Sequence, residues 1–146
     1  MATDGRSIIL DSTAVLALFF EEEGADNVLP HLATGGISTV NVTEVVTVAL
    51  RKGASLGVVQ EFLFGLGLEV VPYDTTQAVL AGSLQLHARK FNLSLADRAC
   101  LGVGLALGLP VLTADHTWVN VPIGVEVRVF REAEVVGAGL TGEGGA

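Results

Sequence analysis

Residues 93–115 read LSLADRACLGVGLALGLPVLTAD, and the architecture turns on this stretch. Ser94 stands where a helix N-cap is favoured, with Asp97 three positions on, the spacing of a capping box. Apolar and small residues continue to Leu107, after which Gly108 and Pro110 stop a helix predicted over residues 94–107. Val111 to Thr113 then reads as a short strand. A run this apolar must also be tested as a membrane span, and it fails. Its most apolar part, residues 99–112, contains three glycines and Pro110 and lies between Asp97 and Asp115. It falls short of the roughly 18–20 unbroken apolar residues that a spanning helix needs.

The same grammar extends along the chain. Residues 7–10 predict a first strand, fully apolar and therefore buried, and residues 13–20 the helix that follows it. Gly24 and Pro30 punctuate a second helical stretch over residues 25–33. A strand at 37–39 leads into a helix over 42–52, which Gly53 ends. Helices over 55–66 and 75–91 flank a strand at 68–71, and residues 125–129 predict a last, edge strand. Short strands alternating with helices predict an α/β fold whose mainly parallel central sheet is flanked by helices. Residues 1–134 form the predicted domain; 135–146 read as a flexible Gly-rich tail, five of the ten residues from Gly137 being glycine.

The chain has 146 residues, half of them hydrophobic, and a net charge of −8 from 8 basic and 16 acidic residues. Its mean hydropathy is +0.58. These values suit one domain with a substantial core and exclude a disordered chain. With no span, and Asp11 interrupting the first apolar run, they predict a soluble cytoplasmic protein without membrane attachment, part of whose apolar surface a partner covers. The acidic balance argues against a nucleic-acid binder of the ordinary basic kind. It leaves open a protein that handles nucleic acid through metal ions, because carboxylates that hold cations belong to the acidic count. Cys100 is the lone cysteine, and its apolar helical setting predicts a buried reduced thiol.

Four carboxylates stand out by position. Asp11 directly follows the first strand, and Asp115 comes two residues after the strand at 111–113, so both fall at the carboxyl edge where open α/β sheets take ligands. Glu44 and Asp97 lie in the first turns of two predicted helices, embedded in apolar sequence. Each acid has a purely structural reading. Asn41 with Glu44, and Ser94 with Asp97, have capping-box spacing, while Asp11 and Asp115 stand where N-caps would. Taken together, the four would converge on one crevice and repel one another unless cations neutralised them. Oxygen ligands without a His or Cys cluster favour Mg²⁺ or Mn²⁺ over zinc.

The strings IILDSTAVLALFFEEEGA, VNVTEVVTVALRKG, LSLADRACLGVGLALGLPVLTAD and GVEVRVFRE resemble the PIN-domain ribonucleases, specifically the VapC-type toxins of toxin–antitoxin pairs. The resemblance covers about residues 8–131 and implies a three-layer PIN-like fold. It further implies a Mg²⁺-dependent endoribonuclease, with Mn²⁺ as a substitute, that is held in check by a small cognate antitoxin of the VapB type and works as a homodimer. By the same resemblance Asp11, Glu44, Asp97 and Asp115 match the four acidic active-site positions. Asp11, Asp97 and Asp115 would be metal ligands, and Glu44 a ligand or the group that orients the attacking water. Ser12 and Thr113 match hydroxyl positions that would orient the carboxylates. Ala96 stands in place of a common glycine and His116 in place of a common basic residue, the latter altering contact with the RNA backbone.

Arg51 and Lys52, Arg89 and Lys90, and Arg98 are the candidate RNA-contacting cations. The first four also suit helix C-termini on dipole grounds alone, and Arg98 is placed to pair with a neighbouring carboxylate. His31 and His87 lack partner histidines at ligand spacing, Glu21 to Glu23 read as a solvated loop, and Trp118 as a packing residue. Two other readings compete. One is phosphoryl transfer through an aspartyl-phosphate at Asp11, weakened by Thr13 standing where a second aspartate would be expected. The other is a PIN-like binding module whose acids are only structural.

Overall fold

A computed structural model describes residues 5–133; the predicted Gly-rich tail lies outside them. The chain runs β1 (Ile8–Leu10), α1 (Ser12–Phe20), α2 (Ala25–Val28), a 3-10 turn (Leu29–His31), β2 (Gly35–Ser38), α3 (Thr39–Arg51) and α4 (Leu56–Gly65). It continues with β3 (Glu69–Val71), α5 (Thr75–Ser83), α6 (Gln85–Phe91), α7 (Leu95–Leu107), β4 (Val111–Thr113), a second 3-10 turn (His116–Asn120) and β5 (Val127–Val129).

Successive side chains of a strand point to opposite faces of its sheet. In β1 this divides the protein into two cores. Ile8 and Leu10 pack with Ala14 and Val15 of α1 and Val45 of α3. Ile9 packs on the other side with Val111, Trp118 and the α7 residues Cys100, Leu101 and Val103. Both faces are therefore covered by helices, in three layers. The five strands lie in the order β3-β2-β1-β4-β5. All four pairings are parallel, which sharpens the expected mainly parallel sheet, and β5 takes an edge as predicted. From β1 the chain steps outward through β2 and β3, then returns to place β4 on the other side of β1. The carboxyl ends of β1 and β4 thus face the switch point of the sheet, where such folds open a ligand crevice.

Three helical stretches differ most from the sequence expectation, while β2 begins two residues earlier and β5 two residues later than predicted. The helix predicted from residue 42 begins at Thr39, because the Ser38 hydroxyl accepts a hydrogen bond from the Val40 N–H at 3.2 Å and caps it earlier. The long helix over 75–91 breaks at Leu84 into α5 and α6. There the Ser83 hydroxyl donates to the Leu80 carbonyl at 2.6 Å, and Leu84 N–H bonds the Ala81 carbonyl three residues back. Residues 25–33 shorten to one turn of α2 and a 3-10 turn in which Pro30 supplies no N–H.

Trp118 and Cys100 are buried as expected, and burial pushes the Cys100 thiol well above its usual range. Among the described residues no helix is long and apolar enough to cross a membrane. The high hydropathy instead reaches the surface in places: Phe64 on α4 is 82% exposed and Leu86 on α6 is 87% exposed.

Beyond β5 the chain is clipped back onto the turn between α1 and α2. Asn27 Nδ2 donates to the Phe130 carbonyl at 2.8 Å, and Arg131 Nη1 pairs with Glu22 at 3.2 Å. Gly24 sits under this clip with φ +87°, and a Cβ there would lie 2.8 Å from both Arg131 Cβ and a Phe130 ring carbon. Gly24→Ala combines a left-handed backbone with a collision, so it is expected to cost about 2 kcal/mol in urea denaturation. A variant as stable as the parent would show that the clip does not hold the domain.

Candidate active site

Asp11 occupies the N-cap position of α1, yet its side chain makes no cap hydrogen bond. The carboxylate lies at the sheet end instead. Its Oδ2 accepts from the Thr13 hydroxyl at 2.8 Å and from the Thr113 hydroxyl at 2.9 Å. Its Oδ1 is buried with no hydrogen-bond partner, and the residue as a whole is 2% exposed. The N-cap reading of Asp11 therefore fails at the side chain, while Thr113, a residue singled out in the sequence, donates to this carboxylate.

Glu44 reaches the same region from α3. Its Oε1 accepts from the Ser12 hydroxyl and, at 3.4 Å, from Asn41 Nδ2, so Ser12 also orients a carboxylate, though Glu44 rather than Asp11. Asn41 is fully buried and donates at 3.2 Å to the Ala96 carbonyl, tying α3 to the first turn of α7. Because α3 starts at Thr39, Asn41 and Glu44 are inside the helix and do not form the expected capping box.

The other two acids do serve as caps. Ser94 and Asp97 form the complete capping box: Asp97 N–H donates to the Ser94 hydroxyl at 3.1 Å, and Ser94 N–H donates to Asp97 Oδ2 at 2.9 Å. Asp115 Oδ1 caps the second 3-10 turn, accepting from the N–H and hydroxyl of Thr117 at 2.9 and 2.7 Å. One pattern covers all four acids. Each has one oxygen engaged by donors of the chain, and the other accepts no hydrogen bond among the described residues.

Their fields overlap. Burial pushes the Asp11 carboxyl from 3.8 up to about 6; the Thr13 hydroxyl opposes the rise, and the negative charges of Asp97 and Glu44 add to it. Burial likewise raises Asp97, against the pull of its Ser94 hydrogen bonds and with the help of Glu44 and Asp115. The charges of Asp97 and Glu44 thus reach Asp11, and those of Glu44 and Asp115 reach Asp97. Among the described residues no three acidic, histidine or cysteine side chains close into a ready-made metal cluster. Asp97 and Asp115 are turned onto their caps.

The basic candidates scatter more widely. Arg51 lines a hollow together with Glu44, Val40, Thr47, Leu95 and Ala96. Lys52 lies over the Phe20 ring and Lys90 over the Phe91 ring, at 5.0 and 5.5 Å, while Arg89 stays in the last turn of α6. Arg98 makes none of the ion pairs expected of it among the described residues, and its Nε is buried without a partner. His116 is engaged with the chain itself, its Nε2 2.7 Å from the Arg131 carbonyl. Glu22 pairs with Arg131 rather than lying in a purely solvated loop.

Sequence reading missed Thr13 and the orienting role of Asn41. A hydroxyl two residues after an acid at a strand end is a signal for local hydrogen bonding and could have flagged Thr13. Asn41 was hidden by the misplaced helix start.

Residues 8–124 match the PIN domain family, and the chain belongs to that family. No curated protein matches it. Its fold is similar to a DNA-bound VapBC from Salmonella typhimurium, with a TM-score of 0.69 and 19% identity over 86% of this chain and 99% of the other. A toxin–antitoxin complex from Klebsiella pneumoniae gives 0.68 and 19% over 87% and 100%. VapBC2 from Rickettsia felis bound to a promoter DNA fragment gives 0.66 and 18% over 85% and 98%.

The raised Asp11 carboxyl has a thermodynamic signature. The native state holds this proton more tightly than the unfolded chain, so stability falls as pH rises from 3.8 to about 6. The full shift corresponds to about 3 kcal/mol. Without divalent ions, Asp11→Asn is expected to be more stable than the parent at pH 7.5 by about 1–3 kcal/mol. The two proteins should converge near pH 4. Urea melts in chelator at both pH values test this, and equal stability at pH 7.5 would contradict it.

Proposed function

We propose that this PIN-domain protein is a Mg²⁺-dependent endoribonuclease toxin of the VapC type, hydrolysing RNA phosphodiester bonds. Asp11 Oδ1 carries the reading: a buried carboxylate oxygen with no donor, on a carboxyl that burial and the charges of Asp97 and Glu44 push upward. An orphaned, desolvated anion is costly, and a hard divalent cation is the partner that relieves it. Mn²⁺ would fit the same oxygen donors.

Asp11, Asp97 and Asp115 hold the ion in this proposal, and Glu44 either joins them or orients water at the scissile phosphate. A divalent ion held by these carboxylates would supply an activated water and offset charge on the phosphate. The chain's own contribution is positional. Ser12 and Asn41 hold Glu44 by one oxygen, and Thr113 holds Asp11, leaving the opposite oxygens for the site. Arg51, beside Glu44, is the best-placed cation for an RNA phosphate; Lys52, Arg89, Lys90 and Arg98 serve as outer contacts.

The partners proposed are a VapB-type antitoxin and a second copy of the chain. The exposed Phe64 and Leu86 suit such contacts, and the structural neighbours include VapBC complexes. The proposed setting is cytoplasmic.

Purified protein incubated with structured RNAs should cleave them with Mg²⁺ and not with chelator, and Asp97→Asn should be inactive. Asparagine keeps a capping oxygen at this position, so the variant loses charge without losing the helix start. Cleavage persisting in chelator or in Asp97→Asn would overturn the metal-carboxylate reading. A second reading, a non-catalytic PIN-like binding module, is favoured by the caps that Asp97 and Asp115 make. It requires a melting temperature that Mn²⁺ leaves unchanged and Asp11→Asn, Asp97→Asn stability equal to the parent's.

A further inference from the structure

We infer that Thr13 is a positioning residue that fixes the orientation of the Asp11 carboxylate, and so the direction in which its unpartnered oxygen faces the site; this rests on the cation-holding reading above. A hydroxyl has a single proton and accepts through its lone pairs. Thr13 Oγ1 accepts from the Ala114 N–H at 3.0 Å, so its one proton is free to point to Asp11 Oδ2 at 2.8 Å. Thr113 repeats the arrangement. Its Oγ1 accepts from the Asp115 N–H at 3.1 Å and donates to the same Asp11 Oδ2 at 2.9 Å.

Two hydroxyls of fixed polarity therefore converge on one carboxylate oxygen. Turning the carboxylate plane away from this orientation would break both hydrogen bonds, so the group is held with one oxygen on the hydroxyls and the other, Oδ1, left without a donor. Thr13 does more than its partner, because it comes from the opposite wall. It stands in the first turn of α1 and holds the backbone of the loop after β4, where Asp115 begins its turn. Thr13 thus sets Asp11 and the Asp115 loop relative to each other. It is a positioning residue because it acts through Asp11 and that loop.

The test uses Mn²⁺ alone, titrated calorimetrically into the full chain, so that no turnover is needed. Thr13→Val keeps the shape and removes both hydrogen bonds; its Mn²⁺ dissociation constant should rise about tenfold, as for other groups that orient metal-holding side chains. Thr13→Ser retains the hydroxyl and should stay within about twofold of the parent. Ser55→Ala, which removes the cap of α4 away from the acids, should lower the melting temperature and leave Mn²⁺ affinity unchanged.

Parent-like affinity in Thr13→Val, loss of affinity in Thr13→Ser, or an equal loss in Ser55→Ala would each overturn the role of Thr13 while leaving the site reading intact. No Mn²⁺ binding by the parent would overturn the site reading and this inference with it. Should Thr13→Val not fold, Thr13→Ala, which introduces no new methyl group, is read by the same criteria.

Discussion

Two threonine hydroxyls donate to one oxygen of a buried aspartate, and the working edge of the sheet is organised around that junction. Asp11 has almost no solvent to share its charge with, and three further acids lie in the same region. Left alone, such a carboxylate would take up a proton or seek water. The hydroxyls settle half of its needs and leave the other half unmet. Local satisfaction and local deficit are built from the same few residues, and the deficit gives the site an appetite for positive charge.

The caps at Asp97 and Asp115, which also suit a purely structural role, leave one oxygen of each acid outside the cap. A cap engages one carboxylate oxygen and spares the other, so one side chain can start a helix and present an anionic oxygen to a crevice. Helix starts at the carboxyl edge of a parallel sheet are where such double service comes at least cost. The net charge of −8 takes on a different sense in this light. On the proposed reading, acids held together in one place would concentrate cations, and the cations could then meet a polyanion.

Much of this was legible beforehand, for reasons that can be named. The strand at 111–113 and the capping box at Ser94 and Asp97 depend on short-range patterns, and the structure has both. The PIN resemblance and the layered α/β fold followed from the order of such patterns. What escaped depended on contacts between distant residues or on rivalry between equivalent caps. Ser38 and Asn41 both offer helix starts, and the choice of Ser38 is made by where β2 ends against β1 and β3. The break at Leu84 reflects a serine turning to its own backbone, which no apolar period records. Thr13 looked like an ordinary helix residue until β4 arrived beside it. Arg98 and Lys52 were placed correctly along the chain, but their surroundings came from other elements.

The sheet order has a consequence for how the protein comes into being. Of the five described strands β1 comes first in the chain and lies at the centre, while its neighbour β4 comes fourth. Ile9 and Leu10 pair with Val111 and Leu112, and Asp11 waits on Thr113. Without β4 the acidic crevice has only one wall. A ribosome therefore carries a growing chain without an assembled site until about residue 115 has left the exit tunnel. Whatever chemistry the crevice performs, its two walls come from segments a hundred residues apart, and it exists only once β4 has paired with β1.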